Sequence, residues 1–130
     1  MKEVSCETYT AKAVIGLQKG YSNVVITKKE FKKVLTEVQR KIKTELGIFL
    51  SANIYECEIF FLGQDEPSMT IEFINYPKFS LDFMDWKNGV MVLFKELMDK
   101  LEQNRIVIVF NDETIMFEKQ DNIDPLIDVS

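Results

Sequence analysis

The chain has 130 residues, of which 46% are hydrophobic and 28% charged, a composition typical of one folded domain rather than a disordered segment. Its net charge of −5 argues against general nucleic-acid binding, which requires an excess of Lys and Arg. The apolar runs are too short for a transmembrane helix and the first residues too polar for a signal peptide. We therefore expect an acidic, cytoplasmic protein that does not bind membranes.

The first predicted elements are a strand and a helix. Side chains alternate from Thr8 to Leu17, which predicts a strand. Thr27 and Glu30 have the spacing of a capping box, and Gly47 is suited to the left-handed position that ends a helix. Apolar residues recur between them at three- and four-residue spacing, which predicts a helix over 28–46.

A β-hairpin is predicted next. Phe49 to Leu62 has a period-two pattern, Gly63 to Ser68 is a cluster of turn residues, and Met69 to Tyr76 alternates again. Two alternating segments around a turn are typical of an antiparallel hairpin, so we expect the hairpin tip within Gly63–Ser68.

The last third is predicted to contain a second helix and two short strands. Asp82 or Ser80 is expected to cap a helix from about Phe83 to Gln103. The strands are predicted over 105–110 and 114–117. Residues 1–119 then form a single α+β domain, and residues 120–130 form an acidic C-terminal tail.

This order of elements predicts a two-layer α/β sandwich with two helices on one face of a mainly antiparallel sheet. The β-α-β-β-α-β outline, with one further strand, fits a ferredoxin-like or a tautomerase-like order. Lys2 stands where the tautomerase family carries a catalytic proline after the initiator Met, so the sequence does not match that family.

The sheet face without helices is predicted to be apolar. Even-numbered residues of the Phe49–Leu62 strand are as apolar as the odd-numbered ones. A large exposed apolar patch favours a homo-oligomer, although the C-terminal hairpin and tail could instead cover it within one chain. The residues expected at this interface are Ile54, Glu56, Phe60, Leu62, Ile74, Val107 and Val109.

Several chemistries are excluded by composition. The chain has no His, which removes Ser-His-Asp and Cys-His catalysis and the usual zinc site. Neither a P-loop nor a dinucleotide-binding glycine pattern is present, and Arg40 and Arg105 are the only arginines. We therefore predict no cofactor and no metal site. Cys6 and Cys57 are predicted to be free thiols, as in a reducing compartment.

Carboxylates on the predicted hairpin are one candidate site. Glu56 and Glu58 share one face of the first hairpin strand, and Glu72 on the second could face Glu58 if the register allows. Close carboxylates have separated pKa values and can act as acid and base or hold a hard cation. If the protein is an enzyme, Glu58, Glu72 and Tyr55 are its predicted catalytic residues. The alternative is a solvated or interfacial polar strip.

A second candidate site lies before the first helix. Its residues combine a polar loop with a helix N-terminus, an arrangement that suits a phosphate or a carboxylate. The alternative is that these lysines are simply solvated. The predicted ligand-binding residues are Lys19, Tyr21, Ser22, Lys28 and Lys29.

The leading functional prediction is a small non-catalytic binding module. It would be oligomeric and would bind either a small anionic or nucleotide-like ligand between subunits or a protein partner. One alternative is a proton-transfer enzyme of the isomerase or tautomerase kind, which would use carboxylates. Another is a small acidic inhibitor or immunity-type protein that blocks a basic site.

Overall fold

Two helices pack on one face of a five-stranded antiparallel sheet in the computed structural model, which describes residues 1–120. The sheet order β2-β3-β1-β4-β5 is the ferredoxin-like order with a fifth strand at one edge. The predicted α+β sandwich is therefore confirmed. The elements are β1 (Thr10–Gly16), α1 (Lys28–Leu46), β2 (Asn53–Phe61), β3 (Gln64–Ile74), a 3-10 turn (Pro77–Phe79), α2 (Phe83–Lys100), β4 (Arg105–Phe110) and β5 (Thr114–Glu118).

Both helices begin at the capping residues that the sequence indicates. The Thr27 hydroxyl accepts a hydrogen bond from the Glu30 amide at 3.1 Å, and α1 ends at Gly47, whose φ is 68°. The Asp82 carboxylate caps α2 by accepting from the Met84 amide at 2.9 Å. Helix α2 ends before the predicted Gln103, at Lys100.

The hairpin tip differs from its prediction. Phe61 pairs with Gln64, so the turn is the two residues Leu62 and Gly63, and the expected turn over 63–68 is wrong. Both turn residues have positive φ, 48° and 83°, as a two-residue type I′ turn requires. The polar residues after Gly63 therefore belong to β3.

Strand β3 tolerates a proline because of where that residue lies. The Pro67 carbonyl accepts a hydrogen bond from the Leu17 amide at 2.8 Å, just beyond the last β1 residue, Gly16. A residue of an antiparallel strand directs its nitrogen and its carbonyl to the same side. The missing N–H of Pro67 therefore faces the end of β1 and removes no bond from the β2–β3 ladder.

The core lies between the helices and one sheet face. Strand β1 contributes Ala11, Ala13 and Ile15 to it, and Trp86 of α2 is buried with its indole N–H donated to the Ile74 carbonyl at 3.1 Å. The opposite side of the sheet carries no helix in the part of the chain that the structure describes. We call it the open face; its residues include Lys12, Val14 and Gly16 on β1, Asn53, Tyr55, Cys57, Ile59 and Phe61 on β2, Glu66, Ser68, Thr70, Glu72 and Ile74 on β3, and Val107 and Val109 on β4.

The predicted interface residues fall on both sides of the sheet, which corrects their assignment to one face. Ile54 pairs with the buried Ile71 and packs against the core, and Glu56 contacts Lys28 at the start of α1, at 3.6 Å. Phe60 is on this helix side as well. The prediction was wrong because both faces of β2 are apolar. The period-two pattern alone therefore does not show which face packs against the helices. Ile74, Val107 and Val109 lie on the open face, and Leu62 is at the hairpin tip.

Over residues 1–120, neither helix combines the length and apolar character that a membrane span requires.

Cys6 and Cys57 are both free thiols. The Cys6 thiol donates to the Asn75 carbonyl at 3.2 Å, and the Cys57 sulfur lies 3.1 Å from the Thr70 hydroxyl. The predicted acidic tail, apart from Gln120, lies outside the described residues.

Candidate functional site

A groove of about 700 Å³ lies on the open face. Lys12, Val14 and Gly16 of β1 contribute to its lining, with side chains from β2 and β4. A volume of this size is within the range of small-molecule sites, roughly 300–1,000 Å³. The groove is therefore a candidate site for a small molecule.

A glycine helps to shape the groove. Gly16 has no side chain, and a Cβ atom at this position would overlap the carboxylate of Glu66, which lies across the strand there. Any other residue at position 16 would force Glu66 to move. The close approach therefore depends on glycine.

The loop between β1 and α1 forms one end of the groove, and side chains after α2 hold it in place. The Gln103 amide donates to the Gln18 carbonyl at 2.8 Å, and the Asn104 amide donates to the Tyr21 hydroxyl at 3.1 Å. The backbone amide of Gly20 donates to the Glu102 carbonyl at 2.7 Å. These long-range bonds fix the loop against the sheet.

A carboxylate with three donors around it lies beside the groove. Glu72 accepts a hydrogen bond from the Tyr55 hydroxyl at 2.6 Å on Oε1 and from the Asn53 side chain at 3.3 Å on Oε2. The Lys12 ammonium lies 4.0 Å from the same Oε1. Asn53 and Lys12 are the residues directly opposite Glu72 on its two neighbouring strands, so the sheet register assembles the cluster.

Hydrogen bonding sets the charge states in this cluster. The Tyr55 hydroxyl lowers the pKa of Glu72 below its ordinary value, and partial burial opposes that effect. The same hydrogen bond raises the pKa of Tyr55. At neutral pH, Glu72 is therefore a carboxylate and Tyr55 a protonated phenol.

The chemistry open to this cluster follows from those charge states. A carboxylate with a lowered pKa is a weak general base, because proton transfer is most effective when the pKa lies near the working pH. Glu72 is better suited to binding a cation. Among residues 1–120, no group of three or more Cys, Asp and Glu side chains could hold a metal ion.

The structure brings together two of the three predicted catalytic residues. Tyr55 and Glu72 share the open face and a hydrogen bond. Glu58 pairs with Pro67, far along the strand from the Asn53–Glu72 pair, and its side chain is on the helix side. The suggestion that Glu72 faces Glu58 is therefore wrong, because the two-residue turn fixes a different register.

The predicted anion-site residues are divided between two environments. Tyr21 and Ser22 line the groove. Lys19 lies 3.7 Å from a Glu30 oxygen and 3.4 Å from a Glu102 oxygen, and Lys28 pairs with Glu56. Lys29 is exposed on α1. The lysines that pair with carboxylates do not join Tyr21 and Ser22 in the groove lining.

Sequence reasoning missed Asn53 and the apolar groove residues Ile59 and Phe61. All three are odd-numbered positions of β2, on the same face as Tyr55. The sequence carries one signal that could have found them. A two-residue turn at Leu62-Gly63 places the odd-numbered β2 residues on the same sheet face as Glu72, but the polar cluster after Gly63 obscures that turn.

The fold defines the class of the protein as a ferredoxin-like α+β sandwich, and two solved structures share it over nearly the whole chain. One is a phage SAM (S-adenosylmethionine) lyase in the apo state, with a TM-score of 0.73. The other is a phage SAM lyase in complex with S-methyl-5′-thioadenosine, with a TM-score of 0.68. Each is 18% identical to this chain, and each alignment covers 95% of this chain and 98% of the other.

No protein-family model matches this sequence, and no curated protein matches it significantly. The structural neighbours contradict our leading functional prediction, a non-catalytic binding module, because both are enzymes by name. The isomerase and inhibitor alternatives have no counterpart in these two neighbours either.

Proposed function

We propose that this chain is a lyase that cleaves S-adenosylmethionine and releases S-methyl-5′-thioadenosine. The observation that carries the proposal is the 2.6 Å hydrogen bond between Tyr55 and Glu72, which holds a charged carboxylate on the open face, directly opposite the groove residue Lys12. The two phage SAM lyase structures supply the choice of substrate. Because they are 18% identical to this chain, their likeness establishes the fold, and the activity is our proposal.

The groove lining suits a nucleoside. Ile59, Phe61 and Val107 are apolar groove residues that a planar base can contact. Polar groups at positions 21–23 and on Asn104 lie on the same lining and offer partners for sugar hydroxyls. The volume of about 700 Å³ is sufficient for a ligand of this size.

The charged cluster suits the amino-acid end of the substrate. Glu72 and Lys12 present opposite charges 4.0 Å apart, which complements an α-ammonium next to an α-carboxylate. Lys12 also lines the groove and therefore connects the cluster to it. In this arrangement Glu72 binds the ammonium group, and Tyr55 keeps Glu72 charged and oriented.

The bond that breaks follows from the product. S-methyl-5′-thioadenosine keeps the methyl and adenosyl groups, so cleavage separates the sulfonium sulfur from the γ-carbon, and the electron pair goes to sulfur. When the bond to sulfur breaks, the γ-carbon gains a new bond in one of two ways. A carboxylate oxygen of the same fragment bonds to the γ-carbon and closes a lactone, or a base removes the β-proton and an alkene forms. Because Glu72 is a weak base, the site favours lactone closure.

Glu72→Gln should lower kcat/KM for S-methyl-5′-thioadenosine formation about 10- to 100-fold, because it removes the charge that binds the substrate ammonium. The measurement is chromatography with mass detection of both products after incubation with S-adenosylmethionine. Glu58→Gln is the matched control, since it makes the same change on the same hairpin but on the helix side. It should leave the rate within about twofold.

Two outcomes would contradict the proposal. One is a wild-type protein that forms no S-methyl-5′-thioadenosine, and the other is an equal loss of rate in the two variants. The mass of the second product distinguishes the lactone from the alkene.

A further inference from the structure

We propose that Asn53 is a positioning residue of this site: its side-chain amide fixes the Glu72 carboxylate in the orientation that receives the substrate ammonium. The inference rests on the proposed function and deepens it by adding a residue that the sequence analysis did not single out. Asn53 begins β2 and lies directly opposite Glu72 in the β2–β3 ladder.

The two oxygens of the carboxylate have different donors. Tyr55 donates to Oε1 at 2.6 Å, and the Asn53 amide donates to Oε2 at 3.3 Å. With one donor on each oxygen, rotation of the carboxylate breaks at least one hydrogen bond. Tyr55 and Lys12 both lie against Oε1, so the Asn53 amide supplies the hydrogen bond that restrains Oε2.

The absence of charge on the Asn53 amide is as important for Glu72 as the position of the amide. Within residues 1–120, the ionisable groups that contact Glu72 are Tyr55 from β2 and Lys12 from β1. An amide at position 53 holds the carboxylate without adding a second cation that would neutralise it. It also avoids a second anion, which would disfavour the charged form of Glu72.

Asn53→Asp is the decisive substitution, because it keeps the shape of the side chain but replaces the donor with a carboxylate. Asn53 is exposed, so the variant is expected to fold. The Glu72 carboxyl is titrated by carbon-13 NMR, and the pH dependence of S-methyl-5′-thioadenosine formation is recorded in parallel. We expect the pKa of Glu72 measured by NMR to rise by about one unit. The pH below which the reaction rate falls should rise by the same amount.

Asn88→Asp is the matched control. It makes the same chemical change at an exposed position of α2, in the layer opposite the open face. We expect it to leave the Glu72 titration unchanged. A Glu72 titration that is unchanged in Asn53→Asp, or that shifts equally in both variants, would overturn the positioning role.

The two readouts separate this inference from the proposed function. If the wild-type protein forms no S-methyl-5′-thioadenosine, the lyase proposal fails and the role of Asn53 in the reaction fails with it. The NMR titration still reports whether Asn53 controls the charge of Glu72. If the wild-type protein is active but Asn53→Asp changes neither the pKa of Glu72 nor the pH below which the rate falls, only the inference about Asn53 fails.

Discussion

At the residue scale, one hydrogen bond links the charge of Glu72 to the stability of the fold. The Tyr55 hydroxyl lowers the pKa of Glu72 from its ordinary value of 4.5. A carboxyl group whose pKa is depressed by folding stabilises the folded protein above its unfolded pKa. That contribution is lost as the pH falls through the lower, folded value.

Tyr55→Phe removes this hydrogen bond, so the pKa of Glu72 should rise toward its ordinary value. The variant should be less stable than the wild type at neutral pH, and the difference should shrink as the pH falls below about 4.5. Urea denaturation at a series of pH values measures the difference. Tyr76→Phe removes a phenol hydroxyl away from Glu72, so its effect should not vary with pH over this window. If the loss of unfolding free energy varied with pH in the same way for both variants, the Tyr55–Glu72 hydrogen bond would not explain the pH dependence.

At the element scale, the hairpin turn determines which β2 side chains lie beside Glu72. Leu62 adopts φ of 48°, a left-handed conformation that is unfavourable for leucine, and Gly63 adopts 83°. The turn therefore contains a strained residue at its exposed tip. Asn is the residue most often found at this position of a type I′ turn.

Leu62→Asn should stabilise the fold by about 0.5–1 kcal/mol, because Asn tolerates the left-handed conformation better than Leu. Gly63→Ala should destabilise the fold by a similar amount, since alanine is strained at positive φ. Urea denaturation measures both variants. If Leu62→Asn proved less stable than the wild type, the turn type assigned here would be wrong.

The elements that the sequence predicted well are those with local signals. The Thr27 capping box and Gly47 determine α1 without reference to the rest of the chain. The hairpin turn was misplaced because Leu62 is an unusual turn residue, and polar residues at a strand end resemble a loop. Tyr55 and Glu72 could be chosen from the sequence. Asn53 could be found only by recognising the turn at Leu62-Gly63, which sets the hairpin register. The groove depends also on how the loop before α1 packs, which no local pattern contains.

At the scale of the whole molecule, the open face leaves apolar side chains exposed. Ile74, Val107, Val109 and Met116 are each 40–52% exposed and belong to this face. We propose that a second copy of the chain covers this surface, since exposed apolar patches are typical of association sites. The groove would then lie at or near the contact between copies.

Native mass spectrometry should therefore detect a closed homo-oligomer. Met116→Glu should shift the protein toward monomer, because it places a charge on the exposed apolar surface at β5. Met84→Glu makes the same change on the exposed side of α2 and should leave the oligomer intact. A wild-type protein that is monomeric at micromolar concentration would contradict the proposal.

The strand order also has a consequence for how the protein is made. Strand β1 is synthesised before the other four strands, yet it is the central strand, paired with β3 on one side and β4 on the other. The β2–β3 hairpin can form from neighbouring residues, but β1 must wait for both of its distant partners. A nascent chain that stops before Arg105 leaves one edge of β1 unpaired, and such an edge is a template for aggregation. Strand β1 therefore has partners on both of its edges only after β4 emerges.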